Sequence, residues 1–432
     1  TYAHGKISNE KIDDLCHTLK EFAQIMESYK VTAYKAYGTS AIRETENTLI
    51  LQDQIEQRTG IRVETLSNSE QRFLDYKSIA SKGETFRRII EEKTAILDIG
   101  GGSIQLSLFD KDTLVSTQNL RLGVLRLQEL LNHLNAGSTQ MERLVDELAT
   151  AQLDDYKKLY LKDREIKNII IVDDYLSPWA VRKAHERGEV NAVVDRKAFS
   201  QLMEALRTKG TTELAKRMDI AEEKVPLVYI SAILTRRIAE LMGAELVWAP
   251  GVTLCDGIAY EYAEQNKMFR GEHDFAEDII ACALNISKRY NGSSKRADTL
   301  EHITTTIFDR MKKVHGMGQR ERLYLRLAAI LHDCGKYISL LNVGEASYDI
   351  IMATEMIGLS HMEREIVANV VRFNHSDFVY YGQAQERPMG LDKASYLTVA
   401  KLTAILRLAN SLDRSHKQKM KGVKAVLQEN EL

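Results

Sequence analysis

The chain has 432 residues, of which 59 are basic and 61 acidic, so its net charge is −2. Hydrophobic residues make up 44% and charged residues 28%, which is typical of globular proteins and excludes a disordered or fibrous chain. A near-neutral charge argues against a protein that coats a nucleic-acid duplex. No apolar run approaches the roughly 18 residues that span a bilayer. The four scattered cysteines indicate a reducing compartment, and we expect a cytoplasmic protein with no membrane partner.

Helices and strands are predicted to alternate over residues 1–93. Apolar residues recur every three or four positions from Ile12 to Met26, which predicts an amphipathic helix with Ser8 as its N-cap. Glycine and serine then mark where the next helices end and begin. The other elements predicted here are a strand at Val31–Tyr37, a helix at Asn47–Arg58 ending at Gly60, a strand at Ile61–Leu66 and a helix from about Glu70 after the cap Ser67.

A mixed β-sheet is predicted for residues 94–268. A strand at Thr94–Ile99 leads through three glycines into a second strand at Ile104–Phe109. Helices separate the later strands, and this alternation is typical of an α/β domain. From residue 269 to 432 the strand signals disappear and helical periods dominate. The later strands are predicted around Leu114–Arg121, at Asn168–Val172 and at Glu245–Trp248.

The segment Asp98-Ile-Gly-Gly-Gly-Ser103 carries the clearest chemical signal. A carboxylate at a strand end can hold a metal ion or water, and glycines let backbone N–H groups approach an anion because no Cβ intervenes. The same spacing fits a plain hairpin turn, so both interpretations stay open. Thr39, Ser40 and Arg43 precede a predicted helix, and the forked guanidinium suits phosphate. A surface ion pair is the alternative role for Arg43.

Together these segments resemble the exopolyphosphatase/guanosine pentaphosphate phosphatase family, Ppx/GppA. The resemblance covers most of the chain and implies an α/β, actin/hexokinase-like (ribonuclease-H-like) fold of two lobes, followed by an all-α HD-type domain. We accordingly expect the first lobe at 1–93, the second at 94–268 and the HD-type domain at 269–432. The ordered motifs that carry the resemblance are Gly38-Thr-Ser-Ala-Ile-Arg43, Ser67-Asn-Ser-Glu-Gln-Arg-Phe-Leu74, Asp98-Ile-Gly-Gly-Gly-Ser103 and Leu120-Arg-Leu-Gly123.

The resemblance also implies an activity and a set of roles. It implies Mg²⁺-dependent hydrolysis of terminal phosphoanhydride bonds in inorganic polyphosphate or in guanosine penta- and tetraphosphate, carried out by a homodimer. Asp98 would then act on the metal or water. The residues implied to bind phosphate or the substrate chain are Thr39, Ser40, Arg43, Gly100, Gly101, Gly102 and Ser103.

Two carboxylates that the family has are amides in this chain. The family's glutamate pair corresponds to Glu70-Gln71, and the Ser-Thr-Glu that ends its glycine motif corresponds to Ser103-Ile-Gln105. A glutamine cannot accept a proton as a carboxylate does, although it can orient a water when the transition state is loose. Glu70 keeps a carboxylate, but neighbouring helical residues point about 100° apart. Glu70 and Gln71 therefore stay alternatives for positioning water.

Other segments also depart from the family. Asp173-Asp174 stands where a phosphate loop rich in glycine and threonine is expected, and its negative charge repels phosphate. Cys255-Asp256 stands where the family has an arginine and a glutamate. We expect the family's first phosphate loop to precede Thr1 and its C-terminal region to follow Leu432.

A second group of candidates lies in the predicted helical domain. His302, the pair His332-Asp333 and Asp413 follow the order of the ligands of HD phosphohydrolases. Two imidazoles and two carboxylates suit a divalent ion such as Mn²⁺, Mg²⁺ or Fe²⁺, which would polarise a phosphoryl oxygen. A degenerate domain that only packs against the rest of the protein is the alternative.

Three functions stay open from the sequence. The two lobes at 1–93 and 94–268 could together hydrolyse phosphoanhydrides. The catalytic candidates are then Asp98, Glu70, Gln71 and Gln105. The HD-type domain could instead hold the chemistry, with the first domain as a phosphate-ligand sensor. The third hypothesis is a protein that binds polyphosphate or an alarmone without cleaving it.

Overall fold

The computed structural model describes residues 5–111, 113–134, 138–269, 271, 273–383, 390–415, 417–418 and 423–426. The chain divides into two compact units, Thr1–Asp112 with Ser116–Glu272, and Thr113–Val115 with His273–Leu432. We call these the first and second units. The division into lobes and an HD-type domain at 93/94 and 268/269 stays a prediction.

The first unit contains strands and helices in alternation. Its elements are α1 (Asn9–Ser28), β1 (Tyr37–Gly38), α2 (Ser40–Arg43), α3 (Thr48–Thr59), β2 (Glu64–Thr65), α4 (Asn68–Ala80), α5 (Glu84–Ile90), β3 (Thr94–Ile99), β4 (Ile104–Asp110), β5 (Thr113–Leu120), α6 (Val124–His133), α7 (Ser138–Tyr156), β6 (Asn168–Asp173), α8 (Leu176–Glu186), β7 (Ala192–Asp195), α9 (Arg196–Thr208), α10 (Thr211–Met218), α11 (Val225–Met242), β8 (Leu246–Ala249) and α12 (Leu254–Gln265). A π-helical turn, Lys157–Leu161, follows α7, and a 3₁₀ turn, Glu222–Lys224, precedes α11.

The helices near the start of the chain follow the predicted pattern. Ile12 and Cys16 of α1 pack against Leu51 and Ile55 of α3 in a small apolar cluster. Ser8 caps α1 as predicted, its hydroxyl accepting a hydrogen bond from the Lys11 amide. Gly60 ends α3 in the left-handed conformation, with φ of 71°, which glycine adopts at little cost.

The two strands predicted in this region are much shorter than expected. Only Tyr37–Gly38 and Glu64–Thr65 pair, in parallel. Residues 31–35 are exposed, so the burial that favours a β-branched and aromatic run as a strand is missing there. The prediction of full strands over 31–37 and 61–66 was therefore wrong in extent.

The main sheet of the first unit has the strand order β5-β4-β3-β6-β8-β7. Strand β3 pairs antiparallel with β4 and parallel with β6, and all six of its residues are buried. The antiparallel register places Asp98 opposite Gln105, and the parallel register places Ile99 opposite Asp173. The glycine turn and the acidic end of β6 therefore lie at the same end of neighbouring strands. The outer strand β7 was not predicted.

The second unit is helical in its described part after residue 273. Helix α16 is its centre, because Leu325, Leu327 and Ala328 are fully buried; the helices α13, α14, α18 and α19 contact it. The elements are α13 (Phe275–Arg289), α14 (Ser294–Arg310), α15 (Lys312–His315), α16 (Gln319–Leu331), a 3₁₀ turn (Cys334–Tyr337), α17 (Val343–Ala353), α18 (His361–His375) and α19 (Lys393–Leu412). Within the described ranges no helix combines the length and apolar character needed to cross a membrane.

Candidate active site

A polar cavity of about 150 Å³ opens in the first unit beside the glycine turn. It brings together nine of the residues predicted from the sequence, which come from α2, α4 and the β3–β4 hairpin. Three aspartates that the sequence analysis did not propose as site residues also line it. The predicted residues in its wall are Thr39, Ser40, Arg43, Gln71, Asp98, Gly100, Gly101, Ser103 and Gln105, and the added aspartates are Asp75, Asp173 and Asp174.

Two buried carboxyl groups meet in this cavity. Asp98 is 7% exposed and Asp75 is 4% exposed, and the two groups are in hydrogen-bonding contact. The Oδ2 atom of each is buried without a hydrogen-bond partner. Burial raises the pKa of Asp98 to about 7, against the charge of Arg72, and burial together with the nearby Asp98 raises the pKa of Asp75. The pair therefore favours a proton or a cation in the cavity.

Gln105 is held by a buried arginine. The Arg72 Nε donates to Gln105 Oε1 at 2.7 Å, and its Nη1 donates to the Thr117 hydroxyl. Arg72 is 3% exposed, so its guanidinium is a buried positive charge, and it acts on both Asp75 and Asp98. Gln105 thus lines the site as predicted, but one lone pair of its side-chain oxygen is already engaged.

The two alternatives for positioning water have different surroundings. Gln71 lines the cavity, and its Oε1 is buried without a hydrogen-bond partner. Glu70 instead forms a capping box: its Oε2 accepts from the Ser67 amide at 3.0 Å, while Ser67 Oγ accepts from the Glu70 amide. The proposal of Glu70 as a catalytic residue is corrected, because its carboxylate closes the start of α4.

The glycine turn is fixed by helix α6. The amide of Gly100 donates to the Ser103 carbonyl at 2.9 Å, and the Val124 and Leu125 amides donate to the carbonyls of Gly100 and Gly101. These contacts need very close approach. A Cβ on Gly123 would lie 2.2 Å from the carbonyl carbon of Gly102.

Gly102 does not line the cavity, unlike the other predicted residues of the turn. Its carbonyl accepts from the Arg126 Nε at 2.8 Å. Its role as a phosphate-binding residue is therefore corrected to a contact with α6. A Cβ on Gly100 would meet only the Ser103 oxygen, at 3.3 Å, so packing within the chain does not demand glycine there.

Arg43 also lines the cavity. Its Nη1 donates to the Leu66 carbonyl at 2.6 Å, which holds the guanidinium beside the cavity. Thr39 is the N-cap residue of α2, and Ser40 begins that helix. Hydroxyl and guanidinium groups therefore face the same space as the aspartates.

The acidic pair after β6 fills a place where an anion could bind. The Asp173 carboxylate accepts from the amides of Leu176 and Ser177 at the start of α8, and from the Ser231 hydroxyl at 2.6 Å. A helix N-terminus attracts anions, and here the chain's own carboxylate occupies it. Burial raises the pKa of Asp173, against these hydrogen bonds.

The oxygen atoms in the cavity suit Mg²⁺. In the described part of the chain, no three His, Cys, Asp or Glu side chains converge as a metal-binding group. Mg²⁺ uses one or two carboxylates and completes its shell with water and substrate phosphate. The unpartnered buried oxygens of Asp75, Asp98 and Gln71 provide hard donors of this kind.

The candidate residues of the second unit surround an arginine. His332, Asp333 and Asp413 each have a buried atom without a hydrogen-bond partner. Burial lowers the pKa of His332 to about 4, and burial lowers the pKa of Arg296 against the charges of Asp333 and Asp413. Arg296 is itself 4% exposed.

His302 does not join that group. It is exposed on α14, six residues after Arg296, and six residues turn a helix by about 240° from the starting side. Arg296 is therefore the residue of α14 that acts on Asp333 and Asp413. A buried guanidinium among these groups opposes a divalent cation, so the donor set does not fit the Mn²⁺ or Fe²⁺ expected from the sequence.

Of the buried charged residues that the sequence analysis did not propose, only Asp75 has a sequence pattern that could have indicated it. Asp75 lies four residues after Gln71 on α4, so both side chains share one helix face. That spacing could have drawn attention to it. Arg72 and Arg296 carried no such signal, because a charged helical residue is usually solvated.

A six-stranded mixed sheet with a glycine hairpin, together with a two-stranded parallel sheet and flanking helices, defines an α/β protein of the actin/hexokinase-like fold. The chain belongs to the Ppx/GppA phosphatase family, whose model matches residues 1–266. A further model, Ppx/GppA phosphatase, domain III, matches residues 280–431. The HD-type assignment of that helical part stays a prediction.

Several known proteins are similar to parts of the chain. Exopolyphosphatase 1 of Mycobacterium leprae is 34% identical over 108 residues, 25% of this chain and 30% of that protein. A bifunctional 3-dehydroquinate synthase/phosphatase of Fusobacterium nucleatum is 24% identical over 162 residues, 35% of this chain and 24% of that protein. The chain thus spans less than a third of the length of these relatives. An exopolyphosphatase structure from Cytophaga hutchinsonii aligns with TM-score 0.52 and 19% identity, covering 61% of this chain and 85% of that one.

Proposed function

We propose that the first unit hydrolyses terminal phosphoanhydride bonds of inorganic polyphosphate, with guanosine pentaphosphate as the alternative substrate. The observation that carries this proposal is the pair of buried carboxyl groups beside the glycine turn, facing hydroxyl and guanidinium groups across one small cavity. The names of the mycobacterial and Cytophaga relatives support polyphosphate as the substrate class.

The size of the cavity supports attack at a chain end. A cavity of about 150 Å³ is smaller than the roughly 300–1,000 Å³ that holds a drug-sized ligand. One terminal phosphate group fits such a space better than a whole nucleotide. Arg43, Thr39 and Ser40 would contact the phosphate oxygens, with the guanidinium acting as a bidentate donor.

The residues around the terminal phosphate would divide the work. Gln71 would orient the attacking water through its open Oε1, which suffices for a loose phosphoryl transition state. Gly101 and Ser103 would hold the equatorial oxygens from the turn, and Gly100, whose amide donates to the Ser103 carbonyl, would leave room for the phosphate because it has no Cβ. Gln105, fixed by Arg72, would keep the floor of the site rigid.

Asp98 would hold Mg²⁺, for which its buried and unpartnered Oδ2 is suited. When bound, the ion would supply neutralisation of the negative charge on the phosphate oxygens. Asp98 sits near the end of β3, a fully buried strand, so its side chain is positioned by the sheet rather than by a loop.

A second candidate is binding of the same polyanion without cleavage. Amides at positions 71 and 105 favour it, because neither can take a proton from water. Catalysis in the helical domain, the remaining hypothesis from the sequence, is weakened by Arg296 among its candidate ligands.

Phosphate release from long-chain polyphosphate with Mg²⁺ tests the proposal, together with the lengths of the remaining chains. Terminal hydrolysis yields free phosphate and slightly shortened chains at early times. Fragments of intermediate length would contradict attack at chain ends. Binding without any phosphate release from polyphosphate or guanosine pentaphosphate would favour the second candidate.

A further inference from the structure

The acidic side chain of Asp75 stands where neither the motifs nor the family resemblance assign a role. It lies one helical turn after Gln71 on α4, is 4% exposed and lines the cavity, and its Oδ2 is buried without a hydrogen-bond partner. Its position is built firmly: α4 is capped by Ser67 and packs along α12. The backbone of α12 approaches so closely that a Cβ on Gly257 would lie 1.9 Å from the Leu74 carbonyl oxygen.

The residue expected to supply a second acidic ligand is unsuited to that task. Gln105 is neutral, and its Oε1 accepts from Arg72 at 2.7 Å. A cation at that oxygen would also approach the buried guanidinium and be repelled by it. Asp75, which lines the same cavity and contacts Asp98, has both the charge and an unpartnered oxygen that a cation needs.

The contact between Asp75 and Asp98 calls for a positive partner. Two carboxylates in contact cannot both be charged without a large electrostatic cost in a buried site. Each keeps one buried oxygen without a hydrogen-bond partner, and both residues line the same cavity. Arg72 acts on both carboxyl groups with one positive charge, but Asp173 and Asp174 add negative charge, so a single guanidinium does not neutralise the group.

We propose that Asp75 and Asp98 together bind the divalent cation of this site, with Asp75 supplying the second carboxylate in place of residue 105. Two carboxylates from a helix and a strand give a site with open positions for water and a phosphate oxygen. The identity of the substrate in this proposal rests on the proposed function, whereas the binding of the cation is independent of that function.

Mn²⁺ binding to the whole chain, followed by electron paramagnetic resonance without substrate, tests the proposal. We expect Asp75→Asn to weaken Mn²⁺ binding at least tenfold, and Asp98→Asn to weaken it similarly. The matched control is Asp154→Asn on an exposed position of α7, which should leave the affinity within twofold. Mg²⁺ should displace Mn²⁺ from the wild-type protein.

Folding is monitored by circular dichroism and thermal unfolding, with Asp75→Ser as a second variant. Removing one of two repelling carboxylates should keep or raise the melting temperature in the absence of metal. Wild-type Mn²⁺ affinity in both folded Asp75 variants would overturn the proposal while leaving the hydrolysis open. Loss of Mn²⁺ binding in these variants, from a wild-type protein that releases no phosphate, would support the cation site and refute the hydrolysis.

Discussion

In the proposed mechanism, Gln71 positions the attacking water. Its Oε1 is buried without a partner and borders the cavity, so it can orient a water but cannot accept its proton. Gln71→Glu should raise the rate of phosphate release by about tenfold or more, since general bases contribute roughly 10²–10⁴-fold. The steady-state rate at saturating polyphosphate measures the gain.

The neighbouring Glu70 provides the matched control for that change. Glu70→Gln exchanges the same two groups in the opposite direction at a residue engaged in the capping box. We expect an unchanged rate and a loss of stability below about 1 kcal/mol. No gain in correctly folded Gln71→Glu protein would remove Gln71 from the mechanism.

Single residues of the site were predictable where a motif names them. Arg43, Asp98 and Ser103 belong to ordered motifs, and the structure brings them to one cavity. The helical spacing from Gln71 could have indicated Asp75, but its burial and that of Arg72 were not predictable, because both depend on α4 packing against strands that follow more than 20 residues later. Local sequence does not record that contact.

Helix α6 packs against the glycine turn, and the glycines there have two different roles: Gly123 allows close packing, and Gly100 lines the cavity. Gly123→Ala should destabilise the protein strongly, by about 3 kcal/mol, since its Cβ would lie 2.2 Å from the Gly102 backbone. Gly100→Ala should retain the fold, because its nearest atom would be 3.3 Å away, but should weaken polyphosphate binding. Urea unfolding and a polyphosphate binding assay compare the two variants. Equal losses of stability would contradict this separation.

Helices α7, α9 and α11 are joined at Glu142, whose side chain is 21% exposed. It accepts from Arg207 Nε at 2.7 Å and also from Arg236. The hydrogen bonds from Arg207, aided by Arg236 and opposed by burial, lower the pKa of Glu142 to about 2. A lowered folded-state pKa stabilises the protein above the unfolded value of about 4.3 and is lost as pH falls toward the folded value.

Glu142→Gln should therefore cost about 2 kcal/mol at pH 7 and progressively less below pH 4. Urea unfolding at pH 7 and pH 3 measures both values. Glu147→Gln, in an exposed pair with Arg143, should cost less than about 0.5 kcal/mol at either pH. A penalty for Glu142→Gln that does not shrink on acidification would show that packing, and not charge, holds these helices.

Elements with a strong period were predicted well, and edge elements were not. The strands β3, β4 and β6 are buried on both faces, so their apolar runs indicated them. Strand β7 has four residues and pairs antiparallel only with β8, and nothing in its short sequence distinguishes it from a loop. For β1 and β2 the error was the opposite: their composition predicted full strands, but only two residues of each form a strand, since residues 31–35 are exposed.

At the scale of the whole molecule, the helical part is organised around Arg296. This arginine donates to Asn410 and opposes the charges of Asp333 and Asp413, and it links α14 to the ends of α16 and α19. Arg296→Ala should destabilise the second unit by about 3 kcal/mol, because the buried Asp413 loses its positive neighbour, while Asp333 keeps the contact with Lys336 at 3.6 Å. Thermal unfolding compares it with Arg310→Ala, an exposed change on the same helix. Equal stability of the two variants would contradict this role.

The predicted site residues come together in the first unit but not in the second. The order of motifs in the sequence predicted a candidate site in each unit. A pattern of histidines and aspartates gives the residue types, but it does not show that an arginine lies among them in the fold. The structure joins nine predicted residues at the first cavity and sets Arg296 among those of the second. The homodimer stays a prediction.

Phosphate release by two variants, measured side by side with Mg²⁺ and long-chain polyphosphate, tests the central claim most directly. Asp98→Asn should reduce the rate at least 100-fold, as expected for a residue that holds charge at the reacting phosphate. His332→Ala, when folded, should keep a rate within twofold of wild type. Full activity in Asp98→Asn together with loss in His332→Ala would contradict the account and place the chemistry in the helical unit.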